Sequence, residues 1–173
     1  MGSRRAAAVH LLANILGGTM SSRLFHEVRE RLGLCYSISA YHTSMADVGT
    51  FMISAGLDRT RLVEALTVIR RILVEAAATP PTLAELQRAI TNMVGRITMK
   101  VEDSASLADW LGSGLILTGK LQTPRQRMAA LKKVTTEQVH REAKQILNWQ
   151  RANLACIGPV TEEDKLRELL QPS

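Results

Sequence analysis

Four histidines, two cysteines and sixteen carboxylates are the side chains from which this 173-residue chain could build a hydrolytic or metal site. A helix-borne catalytic zinc site needs two imidazoles about one turn apart with a glutamate beside them. The imidazole nitrogens then share one helical face, and the carboxylate can handle the proton. The histidines at 10, 26, 42 and 140 contain no such pair. His26-Glu27-Val28-Arg29-Glu30 opens like H-E-x-x-H but ends in glutamate, and the inverted order H-x-x-E-H is absent. A solvated helix face is the expectation for it. Gly17-Gly18-Thr19-Met20-Ser21-Ser22 precedes a helix and would offer backbone amides to a phosphate. It lacks the Gly-Lys-Ser/Thr end of a P-loop and has no strand leading in, so it reads as a turn. No G-x-S-x-G elbow exists, and neither Cys35 nor Cys156 has a histidine partner identifiable from sequence. Two cysteines are too few for a disulfide framework or a Cys-rich zinc site, and both read as small buried hydrophobes. No metal site and no complete active site are expected in this chain, so in isolation it has no catalytic residues to assign.

One stretch carries more. Residues 16–40 read LGGTMSSRLFHEVRERLGLCYSISA. The Gly-Gly-x-x-Ser-Ser-Arg-Leu run, the Val-Arg-Glu helix end and the Gly-Leu-Cys-Tyr entry into a strand belong together. They closely resemble the C-terminal, non-zinc half of zinc peptidases of the pitrilysin, insulinase and mitochondrial-processing-peptidase family. Asp47-Val48-Gly49-Thr50-Phe51, the helix start KVTTEQV at 133–139 and ACIGPV at 155–160 are similar to later segments of that family, in the same order. The resemblance spans residues 10–165.

That resemblance implies a division of labour. Two α+β halves face each other like a clamshell around an extended peptide, and H-x-x-E-H with its zinc lies in the other half or in a separate subunit. This half contributes an arginine and a tyrosine seven positions apart, which here are Arg29 and Tyr36. A peptide carbonyl under attack gathers negative charge on its oxygen. A guanidinium that stays protonated and a phenol hydroxyl are fitting donors to it. The plainer alternative is a surface ion pair for Arg29, with Glu30 or a neighbour, and a core position for Tyr36. Gly17, Gly18, Ser21 and Ser22 are assigned to shaping the turn and capping the helix rather than to chemistry; Arg23 could face the chamber between the halves, and nothing in the sequence decides it. The expected function is thus the substrate-binding half of a zinc metalloendopeptidase, inactive without a partner half. A non-catalytic scaffold subunit of the same family is the alternative, and a basic nucleic-acid-binding domain a remote one.

These residues need elements to hold them. Val9, Leu12 and Leu16 predict a helix over about 5–16, closed by Gly17-Gly18. Ser21 or Ser22 can cap the next helix, whose apolar stripe is Leu24, Phe25, Val28 and Leu32 and which Gly33 ends. Tyr36, Ile38 and Ala40, then Phe51, Ile53 and Ala55, alternate with polar or smaller residues. A polar connection over 44–49 makes these an antiparallel hairpin. Five helices follow, opened in turn by Asp58, Thr82, Ser104, Thr123 and Thr136, with Thr-Thr-Glu-Gln at 135–138 as a helix-start signature. Residues 152–157 read as a final strand ended by Gly158-Pro159, and a last helix covers about 162–170. The fold class is α+β: a small, mostly antiparallel sheet packed by helices, one half of a clamshell peptidase that lacks its first strand. Residues 1–173 read as one C-terminal-type domain, truncated at its N-terminus, with Met1-Gly2-Ser3 as vector-derived residues.

Composition narrows the partners. Hydrophobic residues are 46% and charged residues 22%, ordinary for a globular domain, and no apolar run is long enough to span a membrane. Net charge is +6, but the basic residues are scattered and aromatics are only 3%, which disfavours nucleic acid. The expected partners are a zinc-bearing half, an extended peptide substrate, and a second copy joined through the exposed sheet edge. Zinc is expected in the partner half, with no cofactor in this chain. With no signal or membrane segment visible, a cytoplasmic location is favoured.

Overall fold

Alanine, valine, leucine and isoleucine fill residues 6–16 with few interruptions, and the helix they form is buried nearly all round. Ala7, Ala8, Val9, Leu11, Leu12, Ala13, Ile15 and Leu16 are all buried, beyond the single stripe expected from Val9, Leu12 and Leu16. In this computed structural model, which describes residues 3–44, 48–159 and 163–171, that helix is α1 (Ser3–Gly17). A π-helical turn (Phe25–Arg31), the strands β1 (Cys35–Ser44) and β2 (Gly49–Leu57), and a 3-10 turn (Arg59–Arg61) follow. Then come α2 (Leu62–Ala78), α3 (Leu83–Lys100), α4 (Ser104–Thr118), α5 (Pro124–Lys132), α6 (Thr136–Ile146), a 3-10 turn (Trp149–Arg151) and α7 (Glu163–Leu170). Met1 and Gly2 of the leading Met-Gly-Ser, residues 45–47 of the hairpin connection, Val160 and Glu162 lie outside the described residues.

Helix α1 is central because β1, α3, α5 and α6 all pack on it. The two polar residues that interrupt its apolar run are both provided for. His10 Nδ1 lies 2.7 Å from the Ala6 carbonyl, and Asn14 donates to Asn92 Oδ1 of α3 at 3.0 Å. At its start, Arg5 Nε meets Glu142 of α6 at 2.8 Å, which gives that buried carboxylate a cation. At its end, Gly17 lies directly against β1. A Cβ there would stand 2.3 Å from the Ala40 nitrogen, so only glycine permits this approach.

The hairpin forms as its alternation predicts. Strands β1 and β2 pair antiparallel from Ser37↔Gly56 through Ser44↔Gly49. Ile38 and Ala40 are buried, and Phe51, Ile53, Ala55 and Leu57 form the half-buried face of β2. Helix starts also follow the sequence closely. Asp58 accepts from the Thr60 amide and opens the 3-10 turn leading into α2. Thr82 with Glu85, Thr123 with Gln126 and Thr135 with Gln138 form reciprocal capping boxes.

Several local expectations are corrected. Asp103, not Ser104, caps α4, accepting from the Ser106 amide, and α6 is capped by Thr135, not Thr136. Ser22 makes a different bond from the expected cap: its hydroxyl donates to the Thr19 carbonyl at 2.6 Å. Residues 152–157 do not form a strand. A short apolar run is strand-like only in its side chains, whereas a strand also needs a neighbour for its backbone, and the sheet among the described residues is β1 and β2 alone. Cys156 is consequently exposed, while Cys35 is buried as expected.

Candidate functional site

The segment that matters begins where the chain leaves α1 at Gly17 and reverses through Gly18 and Thr19. Leu24 and Val28 are fully buried and anchor the following helix on the core. That helix is wound as a π-helix over Phe25–Arg31, and the Leu32 amide donates back to the Glu27 carbonyl at 3.1 Å, five residues away. Gly33 then takes φ +59°, the left-handed conformation that ends a helix. The Leu34 amide bonds the Val28 carbonyl at 2.8 Å. Arg61 donates to the Leu32 carbonyl at 3.2 Å, pinning the corner to the segment before α2.

The corner brings Arg29 back over the start of β1. Its guanidinium carbon lies 4.7 Å from the ring centroid of Phe25 and 5.8 Å from that of Tyr36. Tyr36 is 85% exposed, so the core position is ruled out for it. The cause is a β-bulge. Cys35 pairs with Leu57 and Ser37 with Gly56, leaving Tyr36 as an extra residue without a cross-strand partner. The bulge carries its ring off the face of Ile38 and Ala40, where simple alternation places it, and into solvent beside Arg29. Gly56 opposite the bulge is the sequence signal for it, since an isolated glycine inside a strand marks such a place.

The charges around this corner are ordered by ion pairs. Arg23 makes a two-pronged contact with Glu85 of α3, at 2.6 and 3.0 Å, and Glu85 also closes the α3 capping box. The Arg23 hydrogen bond is the main cause that pulls the Glu85 carboxyl down to about 2. Glu27 is shared by Arg31, at 2.6 Å from Nε, and Arg71 of α2, and the Arg31 contact chiefly draws its pKa to about 2. Arg61 pairs with Glu64. Arg29 differs from these neighbours. Among the described residues it has no carboxylate partner, and two aromatic faces flank its guanidinium. The surface ion pair weighed for it is therefore not formed; Glu30 pairs with His26 instead, at 3.0 Å. Burial raises the pKa of the adjacent Cys35 thiol, with the Arg29 charge opposing, so this cysteine stays a protonated hydrophobe.

The residues present do not fit a zinc ion. Among the described residues no three His, Cys, Asp or Glu side chains converge, and Glu27 of the near-miss motif is committed to two arginines. Nor is any described helix long and apolar enough to cross a membrane.

Residues 1–93 match the family described as the peptidase M16 inactive domain, and the chain belongs to that family. It is 32% identical to an uncharacterized zinc protease of Streptomyces coelicolor over 94% of this chain and 35% of that protein. With an uncharacterized zinc protease of Bacillus subtilis it shares 33% over 92% of this chain and 39% of the relative. The crystal structure of a peptidase M16 inactive domain from Pseudomonas fluorescens superposes with a TM-score of 0.75 at 30% identity, covering 83% of this chain and 34% of that one. The chain thus spans little more than a third of the length of the curated relatives it matches.

Proposed function

We propose that this chain is the substrate-facing half of a zinc metalloendopeptidase, inactive until it meets a half carrying H-x-x-E-H. The observation that carries the reading is the juxtaposition of Arg29 and Tyr36, a guanidinium 5.8 Å from a phenol ring that is 85% exposed. Neither exposure nor juxtaposition benefits a core. An aromatic ring placed in water by a bulge, beside a cation without a carboxylate partner among the described residues, suits a bound ligand. Their donors match the carbonyl oxygens of an extended peptide: the guanidinium has five N–H groups and a permanent charge, and the phenol has one O–H. Held in place before substrate arrives, such donors need little reorganisation when charge develops on a carbonyl oxygen. Zinc belongs to the other half, and this chain's share is to bind and orient the peptide. The relatives named zinc proteases, all of them longer, support a second half beyond this domain.

The test is reconstitution. The chain and an H-x-x-E-H half from the same genome are purified separately, combined with zinc, and assayed on an unstructured fluorogenic peptide. Neither half alone should cleave, and the combination should. A folded, co-migrating pair that leaves the peptide intact would overturn the reading in favour of a scaffold. So would cleavage by the chain alone.

A further inference from the structure

We propose that Phe25 is a positioning residue that holds Arg29 by the flat face of its guanidinium, so that the N–H edge stays available to a bound peptide. This rests on the reading of Arg29 as a substrate donor. The closer of the two aromatic contacts is with Phe25, 4.7 Å against 5.8 Å for Tyr36. The way the neighbours are held makes the difference informative. Arg23, Arg31, Arg61 and Arg71 are each fixed by a carboxylate, which occupies N–H groups and offsets the charge. A carboxylate on Arg29 would do the same and leave little for substrate. An aromatic ring orders a guanidinium through its π face without accepting any of the five N–H groups.

The spacing along the segment serves the same end. Phe25 and Arg29 are four residues apart, at the start and within the π-helical turn. At the same i,i+4 spacing Glu27 pairs with Arg31 while Arg29 stands over Phe25. Tyr36 cannot do this holding unaided, because its ring is more distant and stands out in solvent. Phe25 is only partly buried, with one side on a shallow depression of about 400 Å³ lined by Gly17, Gly18, Met20, Ile38 and Arg96. Its ring can therefore be changed without emptying a sealed core.

The experiment uses the chain paired with its zinc-bearing half and compares Phe25→Leu with Phe25→Tyr. Leucine keeps apolar contact and removes the π face; tyrosine keeps the π face. Phe25→Leu should lower kcat/KM about three- to tenfold, and Phe25→Tyr should stay within about twofold of the parent. In an Arg29→Ala background, Phe25→Leu should add nothing. A second readout is independent of turnover: the Arg29 Nε–H NMR resonance. Ring current should displace it in the parent and in Phe25→Tyr, and the displacement should fall away in Phe25→Leu. Parental kinetics in Phe25→Leu, with Arg29→Ala impaired, would overturn the role of Phe25 while sparing that of Arg29. Should Arg29→Ala itself prove silent, the substrate reading fails, and an Arg29 resonance unmoved by Phe25→Leu would sink the positioning role as well.

Discussion

Arg29 and Tyr36 stand side by side, guanidinium carbon 5.8 Å from ring centroid, because two irregularities coincide. The π-helical turn ends at a left-handed Gly33, and the first pair of β1 is offset by a bulge at Tyr36. Without the bulge, alternation would carry the Tyr36 ring to the face of Ile38 and Ala40.

The seating of α1 on β1 depends on Gly17. In Gly17→Ala the new methyl would lie 2.3 Å from the Ala40 nitrogen and 2.8 Å from its Cβ, both fixed parts of a strand. Stability should fall by roughly 2–4 kcal/mol, read as a lower urea midpoint with unchanged slope. A midpoint equal to the parent's would show that the contact yields easily.

Acid should loosen the link between the π-helical segment and α3. The folded-state pKa of Glu85 is about 2, against 4.5 for the free side chain, with the Arg23 hydrogen bond as the largest cause. A depressed carboxylate contributes stability above its unfolded pKa, and that contribution is lost as pH falls from about 4.5 toward 2. Both side chains are partly exposed, which screens the effect to roughly 1–2 kcal/mol at neutral pH. Glu85→Gln should therefore lower the melting temperature at pH 7 and flatten its decline over the acid window. An unchanged melting temperature at pH 7 would show the pair to be idle.

A second window lies nearer neutrality. His10 and His42 meet edge to face at 4.9 Å, with an Arg127 nitrogen 3.1 Å from His10 Nδ1. Burial is the largest cause lowering both histidines, with the Arg127 charge acting in the same direction. Both pKa values sit below the unfolded 6.5, so the unfolded chain binds more protons in the interval beneath it. Stability should decline as pH drops through 6.5, and the decline should shrink in His10→Asn/His42→Asn. Thermal melts at half-unit steps from pH 8 to 5 measure it, and a flat profile would contradict the assigned shifts.

Much of this molecule is legible in its residues. The hairpin follows from alternation in 36–40 and 50–55, and three capping boxes sit where Thr-x-x-Glu or Thr-x-x-Gln occurs. Arg29 and Tyr36 are found through the run around them. What alternation misses is the direction of Tyr36, because a bulge belongs to the pairing of two strands and not to the pattern of one. The π-helical winding escapes for a similar reason: Leu24, Phe25, Val28 and Leu32 fit an ordinary apolar stripe as well. Residues 152–157 show the converse failure, where a strand-like pattern finds no neighbouring strand among the described residues.

The most direct measurement is the steady-state kinetics of Arg29→Ala and Tyr36→Phe in the chain paired with its H-x-x-E-H half, on an extended peptide. Both side chains are exposed, so melting temperatures should stay near the parent's. Losing a donor that acts mainly on developing charge should cut kcat/KM by about 10²-fold for Arg29→Ala and about tenfold for Tyr36→Phe, largely in kcat. Parental kinetics in both variants, in a pair that is folded and active, would contradict the account and leave Arg29 and Tyr36 as surface residues of a scaffold.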